Sequence, residues 1–281
     1  MTTSFDCTDP ETRSAGLARA QQAIANRQCI VLPTDTVYGI GADAFSPQAV
    51  ATLLAAKGRG RSMPPPVLVP RLQTMDGLAI DITPEARALA EAFWPGGLTL
   101  IFHAQPSLTW DLGDTKGTVA LRMPDDEIAL DLLALTGPMA VSSANRTGNP
   151  AAQTAAEAQA QLAESVEVYL EAGPRPQEGS DGVPSTIVDA TQVPLRVVRV
   201  GAVSLDELRA VVPSVLGIGE EPAAPAAADT AGTAGDAEEK ASEDTSVAGA
   251  DSAAPVSGVA GAGGTGSEDL DAPDPVHDQA R

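Results

Sequence analysis

Large apolar and aromatic residues all but cease near Ser214, and that break decides how much of the chain can fold. From Ser214 to Arg281 the sequence is mostly Ala, Gly, Pro, Asp, Glu, Ser and Thr, with no Phe, Trp or Tyr. Such a segment cannot bury enough apolar surface to offset its conformational entropy. The 281 residues therefore divide into a lead-in (1–13), a folded domain (14–213) and an acidic Ala/Pro/Gly-rich tail (214–281), with disorder expected from Gly219 to Arg281. The tail carries 14 acidic and two basic residues, a net of −12, and the remainder a net of −9. Two acidic regions argue against a strong grip on nucleic acid, because neutralising phosphates needs clustered Lys and Arg. Weak or no nucleic-acid binding is expected, although a local basic cleft could override the average. Two cysteines, Cys7 and Cys29, exclude a disulfide scaffold and a four-Cys zinc site. No apolar run is long enough to cross a bilayer, and the N-terminus lacks a basic region followed by an apolar one, so no membrane association and a cytoplasmic location are expected.

Within the first 213 residues strand-like and helix-like segments alternate. Ser14 to Arg27 has Leu17, Ala20 and Ile24 at helical spacing. Ser46-Pro47 and Thr83-Pro84-Glu85 are helix starts, an N-cap followed by proline at the first helical position, for helices ending near Lys57 and Trp94. Asp125 to Leu135 is predicted helical, and Thr154 with Glu157 and Ser204 with Glu207 are capping boxes. Strands are predicted at Gln28–Leu32, Leu98–Phe102, Thr118–Arg122, Pro138–Ser142, Val166–Glu171, Ser185–Asp189 and Leu195–Val200. This order indicates an α/β (α+β) domain with one main sheet.

Several motifs fail on context. Tyr38 to Ala44, YGIGADA, fits the dinucleotide pattern, but no helix opens at its glycines and no acidic residue follows about 20 positions on. There is no P-loop, no G-x-S-x-G elbow, and neither His103 nor His277 has a metal-spaced partner, so no protein metal site is expected. More informative is KGRGR, Lys57 to Arg61, with three cations in five residues followed by SMPPP. The prolines force an extended path. Two readings fit: charges meeting a helix C-terminus, or a polyphosphate site on a stiff loop. PTDTVYG (Pro33–Gly39) and SSAN (Ser142–Asn145) each place polar groups after a short apolar strand. Either is a local turn or a ligand contact. Beside one basic loop, the combination favours a single shared site.

PTDTVYGIGADAFS, AAKGRGR, FWPGGLTLIF, VALRMP, AVSSANRTGNP, GVPSTIVDAT and LRVVRVGAVS occur in this order over about residues 14–212. Together they resemble the YrdC/TsaC family of L-threonylcarbamoyladenylate synthases, in its single-domain form with an added tail. The resemblance implies a twisted mixed sheet with flanking helices around a concave cleft. It also implies a nucleotidyltransferase that converts L-threonine, bicarbonate (or CO2) and ATP, with Mg2+, to threonylcarbamoyl-AMP and pyrophosphate. A downstream transferase complex then modifies an adenosine next to the anticodon of tRNA. By position in the matching motifs, Lys57, Arg59, Ser143 and Asn145 are expected to be catalytic. ATP is expected on Lys57, Arg59, Arg61, Thr118, Asn145, Gln153 and Arg199, and threonine on Thr36, Arg122, Ser143 and Ser185. Lys57 and Arg59 are expected on a solvated loop.

Three positions depart from the family pattern. Met63 stands where many members have Lys, with Arg61 the candidate replacement. Leu68 or Val69 stands where many have His, and Gln153, beside Thr154, where Thr is common. A nucleotide- or RNA-binding module, or another nucleotidyl or carbamoyl transferase on the same fold, are the competing readings. Residues 219–281 are expected to be dispensable for turnover.

Overall fold

The computed structural model describes residues 2–176 and 183–222, which belong to one compact unit, Met1–Pro225. The expected disorder of the tail beyond Pro222 lies outside the described residues. Eleven strands form one mixed sheet. They are β1 (Thr3–Asp6), β2 (Ile30–Leu32), β3 (Gly39–Asp43), β4 (Val67–Leu68), β5 (Ala79–Ile80), β6 (Leu98–Ala104), β7 (Thr118–Arg122), β8 (Met139–Ser143), β9 (Val168–Glu171), β10 (Thr186–Asp189) and β11 (Arg196–Arg199). Their order across the sheet is β1-β9-β2-β3-β8-β4-β7-β6-β10-β11, with β5 beside β6. Parallel pairs (β1/β9, β2/β9, β4/β7, β6/β10) are mixed with antiparallel ones such as β2/β3, β3/β8 and β6/β7.

The helices are α1 (Pro10–Ala25), α2 (Pro47–Ala56), α3 (Met75–Leu78), α4 (Pro84–Phe93), α5 (Glu127–Thr136), α6 (Ala155–Leu162) and α7 (Leu205–Val211). Their starts follow from short polar caps. Ser46, Thr83 and Thr154 accept from the backbone three residues on, and Asp126 accepts from Ile128 and Ala129. Ser204 and Glu207 form the reciprocal box. At α6 the box is displaced: Glu157 reaches the N–H of Gln153 rather than that of Thr154.

Strand β2 is apolar throughout because both of its faces are covered. Ile30 and Leu32 pack with Ala20 and Ile24 of α1 and Leu132 and Leu133 of α5. Val31, between them, joins the larger core with Leu53, Leu89, Leu100 and Leu162. Strand β3 is built on close approach. A Cβ at Gly39 would lie 2.6 Å from Val141 Cγ1, and one at Gly41 2.6 Å from Met139 Cε. The glycines of YGIGADA therefore serve strand packing against β8, which agrees with the rejected dinucleotide site.

The domain is larger than expected at both ends. Residues 1–13 are no mere lead-in: β1 pairs with β9, and α1 opens at Pro10 under an Asp9 cap, four residues before the expected Ser14. Asp9-Pro10-Glu11 carries the same start signal as Ser46-Pro47. At the other end the boundary at 213 moves outward. Val215 is buried, Leu216 exchanges backbone hydrogen bonds with Leu195 and Val197, and Glu220 takes Arg209 and the N–H of Gly217. Ending the chain at Pro213 is expected to cost at least ~2 kcal/mol for Val215 alone. Thermal unfolding should show a lower Tm for that truncation, while one ending at Pro222 should melt like the full chain.

Candidate active site

A cleft of about 210 Å³ opens where several strand ends and their loops meet. Its lining includes Thr34, Thr36, Arg59, Leu68, Thr99, Arg122, Ser142, Ser143, Ser185 and Arg199. Thr36 follows β2, Arg122 ends β7, Ser142 and Ser143 end β8, Ser185 precedes β10 and Arg199 ends β11. Loop ends gather here as in other α/β sheets. Pro64 and Pro66 supply a stiff wall.

The K-G-R segment splits into one inward and one outward cation. Lys57 is the C-cap of α2, and Gly58 has φ of +63°, the left-handed position that ends a helix. The Gly58 N–H donates to Ala55 O and the Arg59 N–H to Leu54 O, closing a Schellman motif. Lys57 then turns inward, only 1% exposed. Its ammonium donates to Ser143 O, to Asn145 O at 2.7 Å and to Asn145 Oδ1 at 3.3 Å. All three ammonium protons are committed. Burial, and then Arg59, pushes Lys57 down to about 7, while the three acceptors favour its charged form. The expectation of Lys57 on a solvated loop is therefore corrected: Lys57 fastens the turn after β8.

Asn145 completes that joint. Its amide donates to Arg146 O at 2.9 Å and Asn149 O at 2.7 Å, and it does not line the cleft. Two further ATP-binding expectations are not met by the placement. Arg61 pairs with Asp111 through both terminal nitrogens (2.7 and 3.1 Å) and with Asp114 at 3.6 Å. Its loop is held there because the Asp114 N–H donates to Arg61 O. Gln153 is exposed and outside the cleft lining, with its backbone engaged by Glu157 and Arg175. Met63 is half-exposed.

The remaining expected residues converge. Arg59 donates from Nη1 to Ser142 Oγ at 3.2 Å, and its buried Nε–H has no partner. Arg199 donates to Ser185 O (3.0 and 2.6 Å) and Ser185 Oγ (3.0 Å). Ser185 Oγ also lies 2.8 Å from Thr99 Oγ1. Gly201 allows this approach, because a Cβ there would sit 2.1 Å from Pro184 O. Arg122 donates to Gly96 O at 2.9 Å, Thr36 Oγ1 at 3.0 Å and Asp35 Oδ1 at 2.6 Å. Desolvation lowers Arg59, and desolvation followed by Arg122 and Arg59 lowers Arg199. A buried donor without a partner among crowded cations is a site waiting for an anion. Thr118 lines a smaller apolar pocket, about 180 Å³, that shares Pro64, Pro66, Thr99 and Ile187 with the cleft.

Ser142, Thr99 and Asp35 were absent from the sequence-derived site. Ser142 and Asp35 sit inside the quoted motifs, next to residues that were chosen, whereas Thr99 is hidden in the strand pattern of β6. Both cysteines are buried, and burial pushes Cys7 up to about 11 and Cys29 to about 12. Neither is an available thiolate. Among the described residues no cluster of three or more His, Cys, Asp or Glu could hold a metal, and no helix is long and apolar enough to cross a membrane.

Residues 22–201 match the Sua5/YciO/YrdC family model, described as "Telomere recombination". The chain belongs to the Sua5/YciO/YrdC family. A Mycobacterium tuberculosis relative, which carries a provisional threonylcarbamoyl-AMP synthase name, is 53% identical over 212 residues, covering 75% of this chain and 96% of the relative. The threonylcarbamoyl-AMP synthase of Pyrococcus abyssi is 35% identical over 193 residues, 68% of this chain and 56% of that protein. The solved structure of Pyrococcus abyssi Sua5 complexed with L-threonine superposes with a TM-score of 0.67 at 33% identity, covering 72% of this chain. This chain spans 58% of that structure's length.

This cleft thus separates a buried structural cation, Lys57, from a cleft-lining one, Arg59, and variants of the two should differ. Lys57→Ala removes the donor to Asn145 O and Asn145 Oδ1 and leaves Ser143 O only the Asn145 N–H, and is expected to cost about 3 kcal/mol, a Tm loss of roughly 10 °C. Arg59→Ala should melt like the parent. Circular-dichroism melts of both variants check this, and equal stability would refute the inward role of Lys57.

Proposed function

We infer that this chain is a threonylcarbamoyl-AMP synthase: it joins L-threonine, bicarbonate and ATP, releasing pyrophosphate. The observation that carries the reading is the cleft itself, where Arg59 and Arg199 have only neutral partners and Arg122 stands apart in an ion pair. The named relatives and the threonine-bound Pyrococcus abyssi structure support the substrate.

The chemistry follows from the groups present. The amine of threonine and bicarbonate combine to a carbamate with loss of water. A carbamate oxygen then attacks the α-phosphorus of ATP, the bond to the β-phosphate bridging oxygen breaks, and pyrophosphate leaves. A carbamate needs no covalent enzyme nucleophile, and the buried cysteines offer none. The protein's work is alignment and stabilisation of charge developing on phosphoryl oxygens. Arg59, with its open Nε–H, and Arg199 receive the phosphates. Arg122 takes the threonine carboxylate through the guanidinium protons left free, since three bonds occupy three of its five donors. Thr36, Ser143 and Ser185 orient threonine, and the apolar pocket beside Thr118 suits the adenine.

Mg2+ enters in this reading as the ATP chelate, with the phosphates as its ligands. The cleft lining is cationic and hydroxylic, and Asp35, engaged by Arg122, does not make a cage. The product passes to a downstream enzyme that modifies tRNA beside the anticodon, and the acidic chain leaves tRNA contact to that partner.

The test is incubation with ATP, Mg2+ and bicarbonate, with and without L-threonine, followed by mass analysis. Threonine-dependent pyrophosphate with the threonylcarbamoyl-AMP mass is expected, and a folded protein making neither would refute the reading. Arg122→Ala should raise the KM for threonine roughly 10- to 100-fold, the loss of a charge-assisted hydrogen bond, with a smaller change in the KM for ATP. Arg59→Ala should do the reverse.

A further inference from the structure

Asp35 lies beside the threonine-facing arginine without lining the cleft; it borders a neighbouring cavity with Arg13 and Arg175 instead. Its carboxylate accepts from Arg122 Nη2 at 2.6 Å and from the Asp125 N–H at 3.0 Å, so it is anchored from behind. The pair is nearly dry, with side chains 8% and 17% exposed. Arg59 and Arg199, on the same cleft, meet only hydroxyl and carbonyl oxygens. Three guanidinium groups therefore face one small space, and a single one has a countercharge.

That asymmetry has a chemical use. A reaction between a monocarboxylate and a polyphosphate puts two anions of very different charge into one cleft. Three equivalent arginines would all favour the polyphosphate, which would then occupy the place of the carboxylate. An ion pair cancels most of the long-range pull of Arg122, yet leaves directional N–H donors for a small carboxylate. Specificity of this kind rests on weakening the wrong partner as much as on holding the right one.

We propose that Asp35 is a positioning and selectivity residue: its ion pair with Arg122 keeps the ATP phosphates, and the pyrophosphate product, off the threonine-carboxylate subsite. This rests on the reading of the cleft as a threonine and ATP site, but its test uses equilibrium binding and so does not depend on turnover.

The probe is inorganic pyrophosphate with Mg2+, titrated calorimetrically into the full chain and its variants. Arg59→Ala should weaken pyrophosphate at least tenfold, and Arg122→Gln, which uncovers the Asp35 carboxylate, should weaken it less than Arg59→Ala does. Asp35→Asn, which keeps the shape and removes the charge, should bind pyrophosphate at least tenfold more tightly. The double variant Asp35→Asn with Arg122→Gln should return to the parent value. A residue that merely braced the loop would not yield a gain of affinity that vanishes with Arg122. Unchanged pyrophosphate binding in a folded Asp35→Asn protein would overturn the proposal. If Asp35→Asn does not fold, the comparison of Arg122→Gln with Arg59→Ala decides: equal weakening of pyrophosphate by both would overturn it. Titration of L-threonine into the parent protein separates the two failures, because absence of threonine binding would refute the functional reading itself.

Discussion

The Lys57 ammonium, buried at the end of α2 and bonded to the carbonyl oxygens of Ser143 and Asn145, joins α2 to the turn after β8. Much of the site geometry follows from that joint. It holds the turn after β8 against α2, and so fixes where Ser142 and Ser143 face the cavity. It also requires the chain to reverse at once, which Gly58 permits with its positive φ. Arg59 emerges on the opposite side of the reversal and finds Ser142. The triplet Lys57-Gly58-Arg59 is therefore one device: a structural cation, a hinge and a ligand-facing cation.

Around this joint the sheet gathers three like charges and gives only one of them a countercharge. Arg59, Arg122 and Arg199 arrive from three separate segments, and such crowding is unfavourable unless an anion fills the space. The fold contains the repulsion through neutral acceptors, Ser142 and Ser185, and through the Asp35 carboxylate on Arg122. Binding energy from a polyanion is then available for alignment, which is what attack of a weak carbamate oxygen on phosphorus needs. The absence of an accessible thiol is consistent with that chemistry.

Much of this was legible in the sequence. Caps placed α2, α4, α5, α6 and α7, because Ser, Thr and Asp before a helix act locally. Apolar runs placed β2, β6 and β8. Thr36, Arg59, Arg122, Ser143, Ser185 and Arg199 are expected from their positions in motifs that resemble the family's, and the structure brings them together around one cleft. What stayed hidden depends on long-range contacts. Gly39 and Gly41 lower strand propensity, yet β3 exists because β8 leaves no room for larger residues there. The inward turn of Lys57 needs carbonyl groups 86 and 88 residues away. The pairing of Arg61 with Asp111, 50 residues on, removes a charge that the local pattern assigned to ATP. The domain edge at 213 failed similarly: Val215 and Leu216 look like part of a polar tail until Leu195 and Val197 supply their partners.

The proposed function requires three arginines to divide two anions between them. A crystal structure with L-threonine and a non-hydrolysable ATP analogue bound together would decide this. The threonine carboxylate is expected within hydrogen-bonding distance of the Arg122 guanidinium, the phosphates on Arg59 and Arg199, and Lys57 still on Ser143 and Asn145. Phosphate oxygens on Arg122, or on a Lys57 released from those carbonyls, would contradict it.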